Sequence, residues 1–236
     1  MNIQASPPPP PVIYPESDGK PMADNTKQLR WITTLYTNFT ALFDPRPDVF
    51  VAADLLWYPV EGQPEVRAAP DVLVVFGRPK GDRGSYKQWE EGGIPVTVAF
   101  EVLSPGNTAL EMNDKQAFYE EYGVEEYYLY DPDQNQLRVF VRRGEVFRRV
   151  RPVQEYTSPR LGIRFDLSGE EMAVYRPDGQ RFLTLTESEA ARRQAERRAA
   201  RLAELSRKAR RGQASAEELQ ELDRLEEPPD TAPGMA

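Results

Sequence analysis

From Asp24 onward the apolar positions recur at helical spacing, at Leu29, Ile32, Leu35, Tyr36, Phe39 and Leu42, as expected for one face of an amphipathic helix. Asp24 or Asn25 suits the cap, since a short side-chain oxygen there accepts from an unpaired N–H of the first turn. Asp44-Pro45-Arg46-Pro47 ends the run. The period then shortens. Residues 49–53, 55–59, 72–76 and 94–103 form short apolar stretches. The last two lack the alternation of a half-exposed strand and predict strands buried on both faces. Residues 77–95, rich in Gly, Lys and Arg, predict a long loop. Helical spacing returns over 108–122, with Leu110, Ala117, Phe118 and Tyr122 near one face and Gly123 placed to cap the C-terminus. Residues 126–130 predict a strand closed by Asp131-Pro132. A hairpin follows at 137–141 and 146–150 around Arg143-Gly144, then short strands through 163–167 and 172–175. Helix, strands, helix, strands predicts an α/β fold with a mixed central sheet flanked by helices.

Both flanks differ in character. Residues 1–21 hold the prolines at 7–11 with Pro15 and Pro21, a composition that predicts an extended, disordered arm. The domain proper is expected over 22–186. A charged helical tail follows over 187–227, with Ala191, Ala195, Ala199, Leu202, Leu205 and Ala209 near helical spacing. Gly212 interrupts it. Ser215 followed by Glu218 is a capping-box signature for a second short helix carrying Leu219, Leu222 and Leu225. Residues 228–236 are expected to be disordered.

Composition narrows the chemistry. The chain has no Cys and no His, which excludes disulfides, thiol nucleophiles, imidazole bases and His- or Cys-liganded metals. Hydrolysis would have to use carboxylates, Lys, Tyr or Ser. Carboxylates with water are natural ligands of Mg²⁺ (Mn²⁺ as a substitute), so oxygen-ligated metal catalysis leads. The net charge of −8 argues against non-specific coating of nucleic acid, although a local basic patch can engage phosphate on an acidic molecule. No segment has the length and apolarity of a signal peptide or membrane span, and a cytoplasmic location is the default expectation.

Phosphodiester hydrolysis needs a metal to polarise the phosphate, an activated water and stabilisation of developing charge. Asp71 and Glu101 as metal ligands, with Lys115 as the cation, have the right chemistry. Both acids interrupt apolar strand contexts, where a carboxylate is costly unless paired or metal-bound. Plain alternatives stand beside each. Asp71 follows a proline and would serve equally as a turn residue opening a strand. Other Pro-Asp pairs exist, among them those at Asp48, Asp178 and Asp230, and Asp48 also precedes an apolar run. Glu101 would suit a buried ion pair, and Lys115 a solvated pair with Glu111 one turn earlier.

In combination these stretches resemble the Uma family of restriction-endonuclease-like proteins, within the PD-(D/E)XK nuclease superfamily and often present in many copies in cyanobacteria. The matching stretches are Ala69-Pro70-Asp71 with 72–75, Phe100-Glu101-Val102-Leu103-Ser104-Pro105, Lys115 with Tyr119, and 122–128 ending at Asp131-Pro132. They cover roughly 22–186. The resemblance implies a restriction-endonuclease-like core with Asp71 and Glu101 as metal ligands. It also implies a further acid before Asp71, here Asp54, either as a third metal-shell carboxylate or as a bulge residue. The superfamily's lysine normally stands two residues after the second acid. That position is Leu103, and the resemblance implies that Lys115 reaches in from the helix instead.

Two functions are therefore expected to compete. One is a Mg²⁺-dependent endonuclease acting on DNA, with the basic loop from Gly77 to Lys87 contacting phosphates and Tyr86 stacking on bases, and with a homodimer cutting both strands. The other is a catalytically inactive nuclease fold serving as a nucleic-acid or protein interaction module, its tail pairing with another helix.

Overall fold

The computed structural model describes residues 11–227. The prolines at 7–10, the segment 228–236 and Asp230 lie outside the described residues. The chain divides into two compact units, Met1–Phe182 and Leu183–Ala236. Among the described residues no helix is long and apolar enough to cross a membrane.

The first unit is built on a six-stranded mixed sheet. Helix α1 (Thr26–Leu42) precedes β1 (Val49–Ala53), β2 (Trp57–Tyr58), β3 (Val72–Phe76), β4 (Tyr86–Lys87) and β5 (Val98–Val102). Helix α2 (Ala109–Glu121) then leads into β6 (Glu126–Asp131), β7 (Gln136–Arg143) and β8 (Val146–Arg149). The large sheet runs β1-β3-β5-β6-β7-β8. Within this sheet, among the described residues, only β5 and β6 pair in parallel, and α2 is their crossover, because a parallel pair cannot be closed by a tight turn. The central strands β3, β5 and β6 are buried on both faces, as their unbroken apolar runs predict.

One face of the sheet packs against α1 and a small sheet of β9 (Glu155–Thr157), β10 (Arg164–Asp166) and β11 (Ala173–Tyr175). Ile32, Leu35 and Phe39 of α1 meet Phe100, Tyr128 and Phe165 there. The other face carries α2 and the short β2–β4 pair, through Trp57, Tyr86, Met112, Tyr119 and Tyr127. Asn25 caps α1 and accepts from the N–H of Gln28.

Several expectations need correction. Leu29 and Tyr36 of α1 are exposed, and the buried face instead uses Trp31, Ile32, Leu35 and Phe39. Leu110 is 70% exposed, while Met112 and Tyr119 face the sheet. The expected loop at 77–95 contains β4, and Tyr86 is fully buried with its hydroxyl donating to Ile94 C=O. Tyr86 therefore cannot stack on bases. Its loop cations are also engaged: Arg78 and Arg83 share Glu91, Lys80 pairs with Asp44 and Lys87 with Glu90.

Residues 11–21 carry no helix or strand. Tyr14 packs on Tyr58 and Trp89, and Tyr58 donates to the Pro15 carbonyl. In the second unit, α3 (Leu185–Arg210) and α4 (Ala216–Glu226) each start with a capping box. Arg201–Glu221 and Lys208–Glu218 ion pairs join the two helices, so the helix that α3 meets in this unit is α4.

Candidate active site

The sheet register brings the two acids together. Val72 of β3 faces Phe100 of β5 in an antiparallel pair, so the preceding Asp71 falls beside Glu101. The β3–β5 ladder ends at this point, and Pro70 has no N–H to extend it. Strand β5 runs on to Val102, whose backbone groups then lack strand partners on that side. The Asp71 carboxylate takes the Val102 N–H at 2.7 Å, and the Gln28 amide from α1 donates to the Val102 carbonyl at 2.8 Å. The opening in the sheet is thus closed by side chains.

Glu101 is 3% exposed. One of its oxygens accepts from Lys115 Nζ at 2.8 Å and the other from the Tyr119 hydroxyl at 2.5 Å. Lys115 and Tyr119 lie four apart on α2 and so share a helix face. Lys115 Nζ also lies 3.5 Å from the Ala69 carbonyl. Its partner is Glu101, not Glu111, so the solvated-pair reading does not hold. Leu103 packs in the apolar cluster that includes Tyr119.

Asp54 sits just past β1 with φ of 50°, in the left-handed region that Asp tolerates better than most residues. Its N–H donates to the carbonyls of Pro70 and Asp71 at 3.2 and 3.3 Å, which turns the chain beside the acids. Asp54, Asp71 and Lys115 line a polar cavity of about 360 Å³ together with Asp18, Asp24 and Glu111. Glu101 lies behind that wall. A larger, mostly apolar cavity of about 540 Å³ between α1 and β1 includes none of the four candidate residues.

Burial raises the pKa of Asp71 well above the ordinary value. The charge of Glu101 adds to this, against the opposing pull of Lys115 and the Val102 N–H. Burial also raises Glu101, against Lys115 and Tyr119. Asp54 is raised by partial burial and by Asp18. Burial alone would lower Lys115, but the negative charges of Glu101 and Asp71 outweigh it and the pKa is raised. Lys115 is therefore a standing cation at neutral pH.

The structure places Asp54, Asp71 and Lys115 on one cavity, with Glu101 bonded to Lys115 behind its lining. It removes Asp48, which pairs with Arg46 at the opposite end of β1. Sequence reasoning gave no role to Gln28 and offered Asp24 only as a helix cap; Asn25 takes the cap, and Asp24 accepts from the Ser104 hydroxyl at 2.5 Å. Gln28 was detectable as a polar residue one turn before Ile32 on the buried face of α1. Tyr119 was detectable from its spacing to Lys115.

Among the described residues no group of three or more acids stands close enough to hold a metal ion by itself. Asp71 and Glu101 nevertheless suit Mg²⁺ in kind, because that ion binds through one or two carboxylates and keeps several waters. Only one Asp71 oxygen is engaged by a hydrogen bond among the described residues.

Among curated proteins none matches this chain. A crystal structure described as "a putative nuclease belonging to DUF820", from Anabaena variabilis ATCC 29413, is similar at 15% identity and a TM-score of 0.43, over 58% of this chain and 75% of that one. The model of the Uma2 family, described as "Putative restriction endonuclease", matches residues 16–168, and the chain belongs to that family.

Proposed function

We propose that the chain is a divalent-metal-dependent endonuclease that hydrolyses phosphodiester bonds in DNA. The observation that carries this reading is the setting of Glu101. It is a carboxylate in a central strand, held between Lys115 and Tyr119 and one strand away from Asp71 at a polar cavity. Burying an ionised carboxylate is costly unless partners compensate. A purely structural core would fill this position with another valine at no such cost.

Asp71 and Glu101 would hold Mg²⁺ or Mn²⁺, with Asp54 as a third acid on the same cavity. When bound, the cation polarises the phosphate and lowers the pKa of a water to make it nucleophilic. Lys115 stays protonated, so its role is to stabilise negative charge on the phosphate and not to abstract a proton. Tyr119 and the Val102 N–H orient Glu101 and Asp71. Gln28 fixes the Val102 carbonyl and with it the open end of β5. Lys115 from α2 supplies the ammonium group that Leu103 cannot. Cutting both strands of a duplex takes two such sites, which a homodimer provides.

The test is incubation of supercoiled plasmid with Mg²⁺ or Mn²⁺ and the full chain, beside Asp71→Ala and Lys115→Ala. Metal-dependent nicking by wild type, lost in both folded variants, is the expected result. Wild type that is inert on duplex and single-stranded substrates would refute the assignment.

A further inference from the structure

The row of residues that carries the acids continues across the sheet into arginines. Glu101 pairs with Leu129 of β6, and Leu129 pairs with Arg138 of β7. Directly opposed residues share a face, and neighbouring strands lie roughly 4.8 Å apart, so the Arg138 backbone stands about 10 Å from that of Glu101. Phe140 of β7 pairs with Arg149 of β8, which puts Arg149 on the same face as Arg138. Phe140 packs in the cluster with Tyr119 and Met112, identifying this as the α2 face. Arg151 follows two residues after Arg149. The proximity of the three is reflected in Arg149, whose pKa is lowered by slight burial and then by the charges of Arg151 and Arg138.

Several arginines of this unit are neutralised by acids. Arg30, Arg46, Arg78, Arg83, Arg160 and Arg164 each pair with a carboxylate. Arg138, Arg149 and Arg151 are exposed and have no ion-pair or hydrogen-bond partner among the described residues. Three clustered cations without a fixed counter-ion, on a chain of net charge −8, make a local positive patch that can attract an anion.

We infer that Arg138, Arg149 and Arg151 form a phosphate-binding surface for the backbone of a nucleic-acid strand, on the same sheet face as Glu101 and Lys115. This deepens the nuclease reading and rests on it for the choice of partner. A backbone leaving the acid cavity reaches the patch within a few nucleotides. Arginine side chains neutralise phosphates and release counter-ions, so the contact is sequence-independent and salt-sensitive.

The experiment measures binding of a short fluorescein-labelled duplex, and of its single strand, to the full chain in EDTA across a salt series. The proteins compared are wild type, Arg138→Gln/Arg149→Gln/Arg151→Gln, and a control Arg46→Gln/Arg164→Gln. The triple variant should bind roughly tenfold or more weakly at low salt, with a salt slope shallower by up to about 0.9 per arginine removed. The control should match wild type, and circular dichroism should show all three folded. A triple variant that binds like wild type would overturn the proposal. So would wild type without salt-dependent binding, or with binding displaced as readily by polyglutamate as by unlabelled DNA. A cleavage assay of wild type with Mg²⁺ separates the two readings. If wild type binds through the arginines yet never cuts with metal present, the surface stands and the nuclease assignment falls.

Discussion

Asp71 and Glu101 are held as carboxylates in a setting that favours their neutral forms. For Asp71 the sign of the consequence is fixed: its folded-state pKa is raised, by burial and then by Glu101, so the folded chain binds this proton more tightly than the unfolded one. Stability from that proton is fully present below the unfolded pKa and is lost as pH rises through the folded value. In EDTA, Asp71→Asn should therefore melt higher than wild type at neutral pH, by about 2–4 °C for each kcal/mol recovered. The gap should close as pH falls toward the ordinary carboxylate range. Added Mg²⁺ should raise the Tm of wild type and leave that of Asp71→Asn nearly unchanged. A variant that melts lower at every pH would show that the acid is structural. Lys115 and Glu101 behave as a unit. Removing one partner of a buried pair costs roughly 3–5 kcal/mol, here toward the lower end because Lys115 is 24% exposed. Urea melts of Lys115→Met, Glu101→Gln and the double variant should give a strongly non-additive cycle, the double being more stable than Lys115→Met alone.

At the scale of elements, much was legible because the physics is local. The apolar runs at 72–76 and 98–102 announced strands buried on both faces, and both acids stood out as interruptions beside them. The capping signals at Asn25, Ser215 and Gly123 are likewise local. Gly123 follows α2 at φ of 95°, and a Cβ there would meet Pro95 at 3.3 Å. Gly123→Ala should cost about 1–2 kcal/mol for the left-handed backbone, read as a lower urea midpoint at unchanged slope. What failed to show in the sequence depends on pairing between distant segments. Tyr86 looked like a loop aromatic until β4 paired with β2 and buried it. Leu110 carries the right apolarity at the wrong angle, because α2 turns Met112 and Tyr119 to the sheet. Asp48 and Asp71 have equivalent local patterns, and only the antiparallel β1–β3 register puts them at opposite ends.

For the whole molecule, net charge proved a poor guide to surface chemistry. The acidic total hides the unpaired Arg138 and Arg149, which share a sheet face with Glu101, and Arg151 two residues beyond, and no periodicity in the sequence marks them. The relocation of the lysine to α2 is visible only once the helix lies over β5, where Lys115 closes on Glu101 from fourteen residues away in sequence. The account stands on that constellation acting as a metal-dependent cleavage centre. Its most direct test is the initial rate of Mg²⁺-dependent plasmid nicking by wild type and by Glu101→Gln, which keeps the shape of the side chain and an acceptor for Tyr119. The account predicts measurable wild-type cleavage that disappears in EDTA, and a loss of at least about 100-fold in the variant, the scale of removing one electrostatic element of an active site. Equal rates in the two proteins, or cleavage that persists in EDTA, would contradict it.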